Sequence, residues 1–335
     1  MRLKIKRLQF KWVVAVFLVI IILMGVYWTC LWFENRSTLT ETRGDLTEHY
    51  TQDGLLEYAG SFYKRKENLM TVLLIGVDQT KGSGTLGSYR NGGQADFLRL
   101  AIIDRENKRV FQIGIDRDTM TPITILGVLG NPSGERMAQV SLSHGFGDGK
   151  ESSCALTVEA VSKLFLDTPI DFYVAMNLDG VRVLNDLVGG VTITLEEDFS
   201  WLDPAMTEGT TLTLTGEQAE IFIRTRYSSS SGTNEARMER QEQYLQQFVL
   251  EFEQRVQEDE QFIGKVYDEL TEYLITDLSK GQMINEVAAA QDYELESVLW
   301  LEGEHRVGSD GFMQFYADQE ALEQMVIDIF YEKVE

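Results

Sequence analysis

Five charged residues beside three apolar runs carry the chemistry this chain offers. Asp78 follows the run 72–77, Asp96 precedes 97–103, and Asp116-Arg117-Asp118 follows 110–115. Largely apolar, β-rich runs of this length, bounded by charged or turn-forming residues, read as buried strands. Arg105-Glu106-Asn107-Lys108 joins the second and third as a polar hairpin turn that lacks Asn-Gly or Asp-Gly. If Asp104 pairs with Arg109, the antiparallel register sets Asp96 opposite Arg117. Asp78 joins them if the first strand runs parallel to the third. Carboxylate oxygens suit a hard cation such as Mg²⁺, and a guanidinium forks a phosphate. Any single Asp at a strand end also serves as a strand stop; the clustering is what points to chemistry.

The elements that must position these groups follow in order. Residues 79–95, QTKGSGTLGSYRNGGQA, form a Gly/Ser-rich loop whose backbone N–H groups can approach a phosphate, with Arg90 as its guanidinium. A connector with Pro122 and Pro132 leads to a turn-rich break at Gly145, Gly147 and Gly149 and then a helix over 152–166. His144, with no nucleophile beside it, reads as a structural hydrogen-bond partner. A strand at 170–178, a helix at 179–189 and a strand at 189–195 point to an α/β or α+β sandwich.

Thr215 caps a short helix that leads into an IFIRTR strand, which sets Arg224 and Arg226 on one face. A helix from 234 carries Met238, Leu245, Phe248, Val249 and Phe252 on an apolar face and Arg237, Arg240, Gln241 and Tyr244 on another. Cations near a helix start oppose its dipole, which a bound anion would relieve; a solvated face with Glu239 and Glu242 as partners is the simpler account from spacing. Residues 259–290 read as further helices, 297–304 and 312–317 as a closing pair of strands, and 318–332 as a final helix.

The chain has 335 residues, 53 acidic against 30 basic, for a net charge of −23. Residues 1–33 hold Arg2, Lys4, Lys6, Arg7 and Lys11 and no acid, so the remainder is more acidic still. Such a domain does not grip a nucleic acid backbone nonspecifically. Two cysteines, Cys30 and Cys154, and three scattered histidines offer neither a disulfide framework nor a His-based zinc site.

Residues 12–33 are uncharged over a length that spans a bilayer core of about 30 Å, with Trp12, Trp28 and Trp32 near the ends. The domain organisation read from this is a basic cytoplasmic segment at 1–11 and a transmembrane signal-anchor at 12–33. A stalk with an accessory helix follows at 34–67, then an extracellular domain at 68–335.

The set LLIGVD (73–78), QADFLRLAIID (94–104), IDRDT (115–119), LSHGFGDG (142–149), IDFYVAMNLDGVRVLNDLVGGVTI (170–193), LTGEQAEIFIRTR (214–226) and ARMERQ (236–241) resembles the LytR–CpsA–Psr family in order and spacing. The resemblance implies an α-β-α sandwich around a mixed central sheet. It also implies a Mg²⁺-dependent enzyme that moves a glycopolymer from an undecaprenyl pyrophosphate carrier to peptidoglycan at the cell membrane, with the lipid chain in an apolar pocket. Carried over, Asp78 and Asp96 sit with the metal, and Arg117, Arg224, Arg237 and Arg240 hold the pyrophosphate with Arg226 and Gln241 nearby. Arg117, Asp118 and Arg224 then form the catalytic set, Asp118 orienting Arg117 or the acceptor.

Three positions depart from the family's usual pattern: Gln94 stands where Arg is usual, Asp116 where Pro is usual, and Asn234 where Asp is usual. Arg90 is a candidate substitute for the missing guanidinium. Two alternatives stay open: a non-catalytic polyprenyl pyrophosphate-binding or scaffold protein, and a lipid pyrophosphatase. A transcription factor is disfavoured, because an 11-residue segment holds no DNA-binding domain.

Overall fold

The computed structural model describes residues 55–79, 92–127, 130–225, 234–259, 261–290 and 293–334. A strand pair opens it, β1 (Leu56–Tyr58) and β2 (Ser61–Arg65), turning at Ala59-Gly60 with φ of 47° and 72°. Both turn residues are left-handed, the geometry that lets a two-residue loop match strand twist. Leu56 is fully buried in a core cluster with the C-terminal helix. The helix expected within 34–67 is therefore a strand pair in its described part, and the packed domain begins before residue 68.

The next strands are β3 (Leu69–Val77), β4 (Ala95–Asp104) and β5 (Arg109–Ile115), as the three apolar runs predict. Val72 and Leu74 face one core cluster while Leu73 and Ile75 face the other. Both sheet faces are covered, which is why these strands read as continuous apolar runs without alternation. Arg99, inside β4, is buried yet met: its Nη1 donates to Gln112 Oε1 at 3.2 Å, and its guanidinium lies 5.4 Å from the Phe97 ring and 5.6 Å from that of Trp300. A Cβ on Gly114 would come within 2.0 Å of the Trp300 ring, so only glycine fits there.

The expected connector after Asp118 is an antiparallel hairpin, β6 (Met120–Leu126) with β7 (Pro132–Gln139). Pro122 and Pro132 are tolerated because the pair stands outside the central sheet, where ladder donors are dispensable. Helices α1 (Leu142–Gly145) and α2 (Glu151–Leu164) follow, then β8 (Phe172–Asn177), α3 (Leu178–Leu187) and a separate hairpin of β9 (Val191–Thr194) and β10 (Thr211–Leu214).

The first four residues of the expected IFIRTR strand are the end of helix α4 (Gly216–Arg224), and Arg226 lies outside the described residues. A complete capping box between Thr215 and Gln218 starts it, and Ala219, Phe222 and Ile223 are buried at the helical i, i+3, i+4 spacing. Cap and period outweigh the β-rich composition.

Helix α5 (Asn234–Glu258) carries an aromatic column: ring centroids of Tyr244 and Phe248 are 6.2 Å apart, Phe248 and Phe252 6.1 Å. Tyr244, expected on the cationic face, is buried in this column with its hydroxyl donating to Asn185 Oδ1 at 2.9 Å. Four-residue steps also put Arg240 on the same stripe.

Helix α6 (Phe262–Leu270), β11 (Leu274–Thr276) and α7 (Lys280–Ala289) come next, so a strand interrupts the expected run of helices. β12 (Glu294–Trp300) pairs parallel with β5. The closing hairpin is β13 (Gly303–Val307) with β14 (Met313–Ala317), so the first half of the expected pair belongs to the central sheet instead. Helix α8 (Gln319–Phe330) and β15 (Tyr331–Lys333), which pairs with β2, end the chain.

The central sheet runs β11-β8-β3-β4-β5-β12, mixed in direction. One face packs on α3 to α7, the other on α2 and α8, giving three layers around two apolar clusters. No helix among the described residues is long and apolar enough to cross a membrane; segments 1–11 and 12–33 lie outside them.

Cys154 sits fully buried in the α2 side of the core, and burial pushes its thiol up. In a Cys30→Ser background, iodoacetamide is expected to label Cys154 only after denaturation. Equal labelling of native and unfolded protein, read by mass spectrometry, would contradict this packing.

Candidate functional site

The site is built by strand register. β3 runs antiparallel to β4 and β4 to β5, so the ends of β3 and β5 and the start of β4 lie together. Asp104 pairs with Arg109 and Leu98 with Ile115. Two residues further, Arg117 comes opposite Asp96, and its Nη1 donates to Asp96 Oδ1 at 2.7 Å. Its Nη2 donates to Gln94 Oε1 at 2.6 Å, and its Nε lies 3.5 Å from Asp118 Oδ1.

A tight turn holds Arg117 there. Asp116 Oδ1 accepts the Asp118 N–H at 2.8 Å, and the Thr119 N–H and hydroxyl both donate to the Asp116 carbonyl, at 3.0 and 2.6 Å. The Ser141 N–H donates to the Arg117 carbonyl and the Ala95 N–H to that of Ser141, tying the turn to the start of β4.

The second arginine arrives from α4. Asp78 ends β3 and donates its N–H to the Gln94 carbonyl at 3.1 Å. Its Oδ1 accepts from Arg224 Nη2 at 3.2 Å, and both side chains are about half exposed. Arg224 Nη1 donates to Glu220 Oε1 at 3.0 Å, while Glu220 Oε2 accepts from Arg182.

The third, Arg240, is buried. It donates to the Thr225 carbonyl at 2.5 Å and to Glu197 Oε2 at 3.2 Å, with its guanidinium 5.0 Å from the Phe199 ring. Its Nε is buried with no hydrogen-bond partner among the described residues. The expected solvated face with Glu239 and Glu242 does not describe Arg240, whose carboxylate partner comes from the loop before β10.

Arg117, Asp96, Asp118, Asp78 and Arg224 thus belong to one network joined through Gln94, while Arg240 bonds to the carbonyl of Thr225, the residue after Arg224. Arg90 and Arg226 lie outside the described residues. Arg237 and Gln241 lie on α5, and their side chains are likewise outside what is described. Glu220, Glu197, Arg182 and His305 are in contact with these groups without having been singled out, whereas Asp116 and Gln94 had been named for their places beside Arg117 and Asp96. Only the Glu220–Arg224 contact had a local signal, its i,i+4 spacing on a helix.

Burial, and then the charge of Asp116, pushes the Asp118 carboxyl up to about 7, against the pull of Arg117 and His305. His144, buried with Nδ1 3.3 Å from the Gly93 carbonyl, is pulled down to about 4 by burial and stays neutral. It serves as the structural partner its position suggests.

Among the described residues no group of three or more His, Cys, Asp or Glu side chains could hold a metal ion. Two carboxylates on neighbouring strand ends, Asp78 and Asp96, are a donor set of the kind Mg²⁺ uses when substrate phosphate and water complete its shell.

Together these features define a three-layer α/β protein with an arginine–carboxylate site at the strand ends. The model of the LytR_cpsA_psr family matches residues 31–328. The chain belongs to the LytR–CpsA–Psr family.

It is 28% identical over 235 residues to the polyisoprenyl-teichoic acid–peptidoglycan teichoic acid transferase TagU of Bacillus cereus (strain AH820), covering 70% of this chain and 68% of that one. TagU of another Bacillus cereus strain is 25% identical over 325 residues, 94% of each chain. Among solved structures, a Streptococcus agalactiae protein superposes with a TM-score of 0.61 at 22% identity, over 79% of this chain and 91% of that one. TagT bound to LI-WTA superposes with a TM-score of 0.56 at 20% identity, over 78% and 90%. The structural matches show the shared fold.

Asp118 gives a prediction with a defined sign. Its native pKa lies above that of an unfolded Asp, so the native state holds the extra proton between about pH 4 and 7 and stability falls as pH rises through that window. Asp118→Asn removes this titration. The variant is expected to gain on wild type by up to about 4 kcal/mol between pH 4 and 7 in urea unfolding. A constant difference across that range would contradict the burial-driven shift.

Proposed function

We propose that this protein is a membrane-anchored phosphotransferase that moves a glycopolymer from an undecaprenyl pyrophosphate carrier to peptidoglycan. The observation that carries the reading is Arg117, held between Asp96 and Gln94 at the end of β5, in one hydrogen-bonded network with the Arg224–Asp78 pair. The names of the TagU relatives support the substrate classes. The anchor is residues 12–33, with the N-terminus cytoplasmic and the domain outside, and the polymer need not be teichoic acid.

Phosphoryl transfer asks a protein mainly for charge neutralisation in place. Arg117, Arg224 and Arg240 meet the pyrophosphate, and the family resemblance assigns Arg226, Arg237 and Gln241 to it as well, with Arg90 the candidate substitute guanidinium. Asp78 and Asp96 would hold Mg²⁺, and the ion would supply charge neutralisation at the phosphate.

The acceptor sugar hydroxyl forms the new P–O bond to the glycan-side phosphorus, and the bond to the lipid phosphate breaks. A carboxylate of the site takes the hydroxyl proton. Lipid phosphate leaves.

Gln94 favours a second reading, a carrier-binding protein without transfer. An arginine there would add a guanidinium worth about 1.5–3 kcal/mol of charge-assisted binding. Incubating the full chain with Mg²⁺, lipid-linked glycan and peptidoglycan separates the readings. Transfer is expected to release polyprenyl phosphate and leave glycan covalently bound to peptidoglycan, with Arg117→Ala slower by roughly 100-fold or more. Wild-type turnover equal to that of Arg117→Ala overturns the proposal. Retained binding would then favour the carrier-binding protein, and release without peptidoglycan a pyrophosphatase.

A further inference from the structure

The β13–β14 hairpin comes from the far end of the chain, yet it closes over the turn that carries Arg117 and Asp118. The Phe315 N–H donates to the Asp118 carbonyl at 2.8 Å, and Thr119 bridges to Phe315. Gln139 Nε2 donates both to Asp118 Oδ1 at 3.1 Å and to the Met313 carbonyl at 2.5 Å. His305, on β13, rests against Phe315 with ring centroids 4.8 Å apart. Its Nε2 lies 2.9 Å from Asp116 Oδ2, and both side chains are about 10% exposed. A carboxylate only accepts, so Nε2 carries the hydrogen toward Asp116.

We infer that His305 is a positioning residue for Arg117, acting through Asp116, so that the β13–β14 hairpin is part of the site. Asp116 has two oxygens in a largely buried place. Oδ1 is used by the Asp118 N–H and Oδ2 by His305. Without the imidazole donor, Oδ2 is stranded, and a buried carboxylate oxygen without a donor is costly. The nearest guanidinium in sequence is Arg117, one residue on. Drawn to Asp116, it would leave Asp96 and Gln94 and lose its aim at the strand ends. His305 satisfies Asp116 so that Arg117 stays where it is. The Phe315 ring holds the imidazole in line.

The inference rests on reading the site as a pyrophosphate site, and its test separates the two. Farnesyl pyrophosphate, a soluble polyisoprenyl pyrophosphate, is titrated with Mg²⁺ into the detergent-solubilised full chain by calorimetry, alongside the transfer assay. His305→Phe keeps a ring against Phe315 and removes the donor; binding is expected to weaken about 10-fold or more. His305→Gln, which retains a donor, is expected to stay within about threefold of wild type. Asp116→Asn combined with His305→Phe leaves no stranded carboxylate and is expected to recover most of the loss, a non-additivity that a merely structural docking role would not produce.

If His305→Phe unfolds, read by labelling of Cys154, then refolding on addition of Asp116→Asn carries the same meaning and no refolding overturns the inference. Equal binding by wild type and His305→Phe overturns it, as does a double variant no better than the single. Wild type that binds but does not transfer sinks the transferase alone. Wild type that does not bind farnesyl pyrophosphate sinks both.

Discussion

The Arg117–Asp96 ion pair is the contact on which the rest of the site depends. Both groups are largely buried, so each must recover by hydrogen bonding what it loses in hydration. Asp96, Gln94 and Asp118 surround the guanidinium and provide that. The pair forms because β4 and β5 keep one register along their length, from Asp104–Arg109 to Leu98–Ile115. A one-residue slip would turn every apolar side chain of these strands to the opposite face. Two buried sheet faces therefore protect the site's geometry along with the fold.

A chain of net charge −23 builds its arginine site by giving each described guanidinium a carboxylate. Arg117 has Asp96 and Asp118, Arg224 has Asp78 and Glu220, and Arg240 has Glu197. These pairs hold the arginines in place before a ligand arrives, which lowers the cost of ordering them on binding. They differ in exposure. Arg240 is buried at the head of the aromatic column of α5, Arg117 nearly so, and Arg224 about half exposed. Of these three, Arg224 is the most exposed to solvent.

The elements that the sequence misplaces have a common cause. IFIRTR has the composition of a strand, but a complete capping box and the burial of Phe222 and Ile223 make its first four residues the end of α4. Arg224 therefore reaches Asp78 from a helix terminus, with no need to share a strand face with Arg226. Tyr244 belongs to the aromatic column because Asn185, almost sixty residues earlier, receives its hydroxyl. The connector carrying Pro122 became a hairpin because it lies outside the central sheet.

Sequence alone determined the three buried strands, the pairing of Asp96 with Arg117 and the family, because these rest on local periodicity, on register counted from one turn, and on ordered motifs. It could not determine which carboxylates answer Arg224 and Arg240 from elsewhere in the chain, or that His305 would meet Asp116 across almost two hundred residues. No spacing rule reaches that far. Such contacts exist only once two sheet faces are covered, and the loops and hairpins at the strand ends have a single way left to close.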